Sequence, residues 1–203
     1  EQTLSIKSPK IERREIRSQP VSRITERNTV RETIDQRTTV SERGWGDPIA
    51  QSFIVPRDDY QDGVFITGGS LYFKTKDTSD VTVQIRELDD GGRPSTTVVP
   101  FGQTKIKSSL AGISTDGQTP TNFEFPTPVY LESDGRYALV LITPELGWNT
   151  FITRMGEVDI FSNRINDKQP SLGSLFKSQN SELWTESQTE DLIFKLNKAW
   201  FVT

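Results

Sequence analysis

From residue 47 onward, short apolar runs alternate with turn residues at a spacing that suits β-strands. Residues 49–55 (IAQSFIV) predict a buried first strand, entered through Gly44-Trp45-Gly46-Asp47-Pro48 and closed by Pro56. Residues 64–74 predict a second strand, with Gly68-Gly69 marking a bulge. Val81, Val83 and Ile85 alternate with Thr82, Gln84 and Arg86, so that stretch has one apolar face. The sequence Asp89-Asp90-Gly91-Gly92-Arg93-Pro94 is a strong turn signal, with short strands expected at 97–101 and 103–107. Residues 108–121 read as a loop. Phe123 and Phe125 alternate, then Pro126 and Pro128 intervene before Val129 and Leu131. Residues 137–143 (YALVLIT) form the most apolar run and predict a central strand. Further strands are expected at 148–155, 174–177 and 191–201, with a long excursion over 156–172. Many short strands between Gly/Pro/Asp turns predict an all-β fold, a jelly-roll-like β-sandwich.

The first 43 residues follow neither period. Their apolar residues include Ile11, Ile16, Val21, Ile24, Val30, Ile34 and Val40, and Pro9 and Pro20 interrupt any long helix. A helix over about residues 24–36 is open, since Glu26, Val30 and Ile34 fall at one-turn spacing. The β-branched Thr25, Thr29, Thr33, Thr38 and Thr39 favour extended backbone instead. The expected organisation is an extended, charged N-terminal arm over 1–44 and a β-sandwich domain over 45–203. The chain opens on Glu1 rather than Met and is expected to be a piece of a longer polypeptide.

Composition sharpens that boundary. All nineteen aromatic residues (four Trp, four Tyr, eleven Phe) lie after Gly44. Residues 1–43 carry ten Lys/Arg and seven Asp/Glu, a net of +3, so the remaining 14 basic and 21 acidic residues give −7. A core needs large apolar side chains to offset the chain entropy lost on folding, and only the second part has them. The arm's order is therefore expected to come from partner subunits. Its Arg and Glu residues are interleaved (Glu12-Arg13-Arg14-Glu15), which argues against a phosphate-binding segment and so against nucleic acid as a partner. No apolar run reaches membrane-spanning length, so no membrane insertion is expected.

The chain has no Cys and no His, which removes disulfides, thiolate chemistry, the Ser-His triad and most zinc sites. Glu87, Asp89, Asp90, Glu124, Glu132 and Asp134 are the acids that glycoside cleavage would need, but they lie mostly in or beside turns. Asp58, Asp59 and Asp62 lack the ligand spacing of an EF-hand loop. Gly68-Gly69 and Gly91-Gly92 lack the Lys and the strand–loop–helix setting of a phosphate cradle. No catalytic residue, cofactor or metal ligand is expected. Of the tryptophans Trp45, Trp148, Trp184 and Trp200, core or interface packing is the ordinary role. Trp45 and Trp184 flank loops and are the candidates for a ligand or interface platform.

Several stretches of the body together carry one family likeness. They are Asp47-Pro48-Ile49-Ala50-Gln51-Ser52-Phe53 with Gly63-Val64-Phe65-Ile66-Thr67, and Leu71-Tyr72-Phe73-Lys74-Thr75-Lys76-Asp77. Val81-Thr82-Val83-Gln84-Ile85-Arg86 with Gly92-Arg93-Pro94-Ser95, and Tyr137-Ala138-Leu139-Val140-Leu141, continue the likeness. It ends on Gln169-Pro170-Ser171-Leu172-Gly173-Ser174-Leu175-Phe176-Lys177-Ser178-Gln179-Asn180, Trp184-Thr185 and Asp191-Leu192-Ile193-Phe194-Lys195-Leu196. Together these stretches resemble domains of baseplate wedge proteins from T4-like contractile-tailed bacteriophages. The resemblance implies a non-enzymatic structural protein of the virion tail baseplate, assembled in the host cytoplasm within a multi-subunit complex. Expected partners are other tail and baseplate subunits, with the tail fibre a further one. On the arm, Ile11, Ile16, Val21, Ile24, Val30 and Ile34 would sit in partner grooves or in a shared helical bundle, and Arg13 and Arg14 would pair with partner carboxylates. The opening strand and the Tyr-Ala-Leu-Val strand are also similar to β-sandwiches found beside cell-surface anchors. That keeps open a carbohydrate-binding or host-attachment module.

Overall fold

The computed structural model describes residues 47–157, 173–178 and 183–199. In these residues the fold is an all-β sandwich whose strands pair antiparallel. β1 (Ile49–Ile54), β2 (Val64–Leu71), β3 (Phe73–Thr75), β4 (Val81–Leu88) and β5 (Pro94–Ile106) come first. A 3-10 turn, Ser108–Leu110, separates them from β6 (Thr121–Leu131) and β7 (Arg136–Ile142). β8 (Asn149–Thr150), β9 (Ile152–Arg154), β10 (Leu175–Ser178), β11 (Trp184–Ser187), β12 (Glu190–Leu192) and β13 (Phe194–Lys198) follow.

A six-stranded sheet runs β11-β10-β1-β7-β4-β5, and a three-stranded sheet runs β13-β2-β6. β7 lies between β1 and β4, and Ala138, Leu139 and Val140 are fully buried. Its continuous apolar run is what a strand buried on both faces requires. Ile49 and Phe53 of β1, Val81, Val83 and Ile85 of β4, and Leu139 and Leu141 of β7 turn one way. They meet Ile66, Leu71, Phe123, Val129 and Leu131 from the smaller sheet in one core. Phe53 packs tilted against Phe194, with ring centroids 6.3 Å apart, joining the two sheets. Side chains alternate along a strand, so Ala50, Ala138, Val140 and Phe176 occupy the other face of the six-stranded sheet, where Trp184 joins them.

Two small sheets, β12-β9 and β3-β8, brace the sandwich. Gln51, 1% exposed on β1, ties the first of them down. Its carboxamide donates to Asp191 Oδ1 at 2.9 Å and accepts from the Leu192 N–H at 2.8 Å. A polar residue inside the first strand is tolerated because both ends of its amide are satisfied.

Several strand limits differ from the expected ones. The two short strands at 97–101 and 103–107 are a single strand, β5, which continues through a bulge instead of breaking at Gly102. Phe123 and Leu131 likewise share one strand, because the prolines lie in a stretch of β6 that makes no ladder pairs. The strand expected over 148–155 divides at Phe151 into β8 and β9, which pair with β3 and β12 respectively. The strand over 64–74 divides at Tyr72, whose carbonyl accepts from Phe151 N–H and Thr150 Oγ1 rather than from a ladder partner. β11 went unpredicted: WTES has a single apolar residue, and pairing with β10 holds it extended. The arm, the excursion over 158–172 and Trp200 lie outside the described residues.

Candidate functional site

Two backbone irregularities converge on one groove. In β5, residues 99–102 stand opposite Ile85 alone, because Gln103 pairs with Gln84 and Val98 with Arg86. Phe101 has φ of 62° there and is 67% exposed. Left-handed backbone is costly for a residue with a Cβ, and an exposed phenyl ring gains little burial in return. Gly102 follows because a Cβ at that position would lie 2.8 Å from the Val99 carbonyl oxygen. In β6, residues 125–128 stand opposite Thr67, between the Ile66–Val129 and Gly68–Glu124 pairs. Pro126 and Pro128 fall in this unpaired stretch, where a missing N–H removes no ladder bond. Both bulges line a groove of about 600 Å³, through Pro100 and Phe101 on one side and Pro128 on the other. That volume is within the range of ligand sites.

Tyr130 and Phe65, opposite each other on β6 and β2, form the next wall, their ring centroids 5.1 Å apart. The Tyr130 hydroxyl donates to the Asp62 carbonyl at 3.0 Å, which fixes the ring. Gly63 makes room for it. Its φ is +78°, and a Cβ there would come within 2.7 Å of the Tyr130 ring and 2.5 Å of the Leu131 carbonyl. Beneath lies Tyr137, 7% exposed, whose hydroxyl accepts from the Glu132 N–H at 2.9 Å. Burial pushes its phenol above the usual range, helped by the charges of Glu132 and Glu87 and opposed by the Glu132 hydrogen bond.

The rim is polar. Glu87, Glu132 and Arg136 border the groove and are exposed. None of the three side chains makes an ion pair among the described residues, so two carboxylates stand against one guanidinium. Exposed rings beside open carboxylates can bind an extended, partly cationic or hydroxylated ligand by stacking and charge-assisted hydrogen bonds. Among the described residues no group of three or more His, Cys, Asp or Glu is placed to hold a metal ion.

The residues singled out from sequence are distributed as follows. Ile11, Arg13, Arg14, Ile16, Val21, Ile24, Val30, Ile34 and Trp45 lie outside the described residues. Trp184, a candidate platform, is 7% exposed and packed with Phe176, Ala50, Val140 and Ala138. Its indole is packed against the outer face of the six-stranded sheet, so that face is not presented to a sugar. Trp148 is a core residue: its ring meets Phe73 edge-on at 4.9 Å and its Nε1–H donates to the Ser79 carbonyl at 3.2 Å. Of the acids considered for catalysis, Glu87 and Glu132 come together at the groove. Asp89 accepts from the Arg93 N–H across its turn, and Asp134 pairs with Arg57 at 3.5 Å on the surface.

Sequence reasoning missed the groove's aromatic residues, Phe65, Phe101 and Tyr130. One signal was available: Pro100 and Gly102 flank Phe101 within a strand, and Pro and Gly inside a strand mark an edge or a bulge. Compared with family models, curated proteins and solved structures, the chain matches none.

Proposed function

We propose that this chain is a non-enzymatic structural module of a phage tail baseplate, in which the arm contacts neighbouring subunits and the sandwich docks in the assembly. The observation that carries the reading is where the resembling stretches fall. They fall largely on β1 to β5, β7 and β10 to β13, in chain order, and so mainly in the frame of the sandwich; Gly92 and Arg93 lie in a turn, and residues 169–172 and 179–180 lie outside the described residues. The arm ahead of that frame has ten Lys/Arg and no aromatic residue with which to build a core of its own. Charged contacts of such a tether give register, and several on one chain add avidity. Deleting residues 1–43 tests this: the truncated protein should keep a cooperative melting transition and fail to enter particles. Normal incorporation of the truncated chain would sink the reading.

A second reading, a carbohydrate-binding or host-attachment module on the virion surface, draws on the groove. Phe101 and Tyr130 offer exposed ring faces beside Glu87, Glu132 and Arg136, where Trp184 does not. It calls for the full chain to bind host polysaccharide and for Phe101→Ala to abolish that binding.

A further inference from the structure

The groove and the point where the arm joins the sandwich lie at opposite ends of β1. Asp47 precedes Ile49, which pairs with Leu141 and Lys177. The groove opens at the other end, where Phe53 pairs with Tyr137, Tyr137 with Glu87, and Ile54 with Arg136. A segment that leaves one end of a body and a cleft at the other end suit a head-to-tail contact between identical copies.

The chemistry of the two parts is complementary. Residues 7–23 (KSPKIERREIRSQPVSR) hold six Lys/Arg against two Glu, a net of +4, more than the +3 of the whole arm. The remainder of the chain is −7, and the groove rim presents the open carboxylates of Glu87 and Glu132. Guanidinium groups bind carboxylates through paired hydrogen bonds and stack on aromatic faces, and the groove supplies both kinds of surface in Glu87, Glu132, Phe101 and Tyr130. Pro9 and Pro20 favour extended backbone at and before themselves, the form in which peptides lie in aromatic-lined grooves. The spacing also suffices. Residues 24–46 reach about 75 Å when extended, against about 43 Å for the thirteen-residue β5, the longest strand described.

We infer that the groove between the β5 and β6 bulges is the receptor for residues 7–23 of the arm of a neighbouring copy of this chain. The inference rests on the proposed arm-mediated assembly and names one of its partners. Arg13 and Arg14 engage Glu87 and Glu132, and the guanidinium or proline surfaces of the segment lie on Phe101 and Tyr130.

Sedimentation velocity of the full chain over a range of concentrations tests it. The parent chain should self-associate, more weakly as salt rises. An arm variant, Arg13→Ala with Arg14→Ala, and a groove variant, Glu87→Lys with Glu132→Lys, should each lose that association by at least about tenfold. The parent melting curve, retained in both, would establish that they are folded. Mixed together, these two should form a 1:1 pair and nothing longer, because the mixture leaves one working arm and one working groove per pair. Phe101→Ala, whose ring is exposed, should weaken the contact without lowering the melting temperature. A parent chain that stays monomeric, or variants that associate as the parent does, would overturn the inference. If arm deletion blocks particle entry while the parent chain never self-associates, the arm serves a different subunit. The assembly reading then stands and this inference falls. Loss of polysaccharide binding in Phe101→Ala with self-association intact would also overturn it, by making the groove a sugar site.

Discussion

Gln51 and Asp191, 140 positions apart in sequence, are joined by a 2.9 Å hydrogen bond in the interior of the sandwich. The same carboxamide accepts from the Leu192 N–H, so one side chain of the first strand fixes the position of β12. Gln51→Leu has nearly the same volume but can do neither. It should destabilise the fold by about 2–3 kcal/mol, since a carboxylate and an N–H each lose a buried partner. Urea unfolding of parent and variant gives the number, and a change under about 0.5 kcal/mol would show that water replaces the carboxamide.

Glu190 makes a pH-dependent contribution of known sign. Burial by itself would raise its carboxyl, but hydrogen bonds from Arg154 and Lys177, both at 2.7 Å, overcome that and hold it at about 2, below its ordinary 4.5. A depressed carboxylate stabilises the fold above the unfolded value and loses that contribution as pH falls through the folded one. Stability should therefore decline between pH 4.5 and about 2 through this group. With Arg154 and Lys177 partly exposed, solvent screening reduces the effect to about 1–2 kcal/mol. Glu190→Gln should flatten the acid limb of a plot of unfolding free energy against pH; an unchanged slope would refute the assignment.

Phe101 offers the opposite kind of substitution. Its φ of 62° suits glycine, and its ring is 67% exposed. Phe101→Gly should leave stability unchanged or raise it by about 0.5–1 kcal/mol, because left-handed backbone is free of penalty without a Cβ. Thermal melting decides the point. A loss beyond about 1 kcal/mol would mean that the ring contributes packing which its exposure does not suggest.

Trp184 should behave as an interior residue. Trp184→Ala should cost about 3–5 kcal/mol by opening a cavity beside Phe176 and Val140. Among the described residues its Nε1 is buried without a hydrogen-bond partner, so Trp184→Phe removes an unpaired donor along with some volume and should cost much less. Guanidinium unfolding of the two variants provides the comparison; equal, small losses would place the indole at the surface.

Most of the sandwich was legible because its strands carry their own patterns. The alternation of Val81, Val83 and Ile85, and the unbroken run from Tyr137 to Ile142, are imposed by one-sided and two-sided burial respectively. The bulges were harder to read. Pro126, Pro128 and Gly102 look locally like strand ends, and only pairing with β2 and β4 shows that the strands resume. β11 is extended because β10 lies beside it, which nothing in WTES announces. The groove depended on both bulges at once. Glu87 and Glu132 are 45 positions apart, and their adjacency follows from the register Phe53–Tyr137–Glu87 and from the hydrogen bond of Tyr137 to the Glu132 amide. Neither Glu has a neighbour in sequence that predicts the other.

The bulge in β5 has an effect on the sheet's outer boundary as well. β5 closes one edge of the six-stranded sheet, and an uninterrupted edge of thirteen residues would expose a long row of backbone donors and acceptors to any other chain. Residues 99–102 divide that row into two short pieces, and Pro100 has no N–H to offer. An approaching strand would find its ladder broken after about four or five residues. The irregularity that displays Phe101 thus also guards the domain against uncontrolled strand addition, and straightening it would be expected to favour fibrous aggregation.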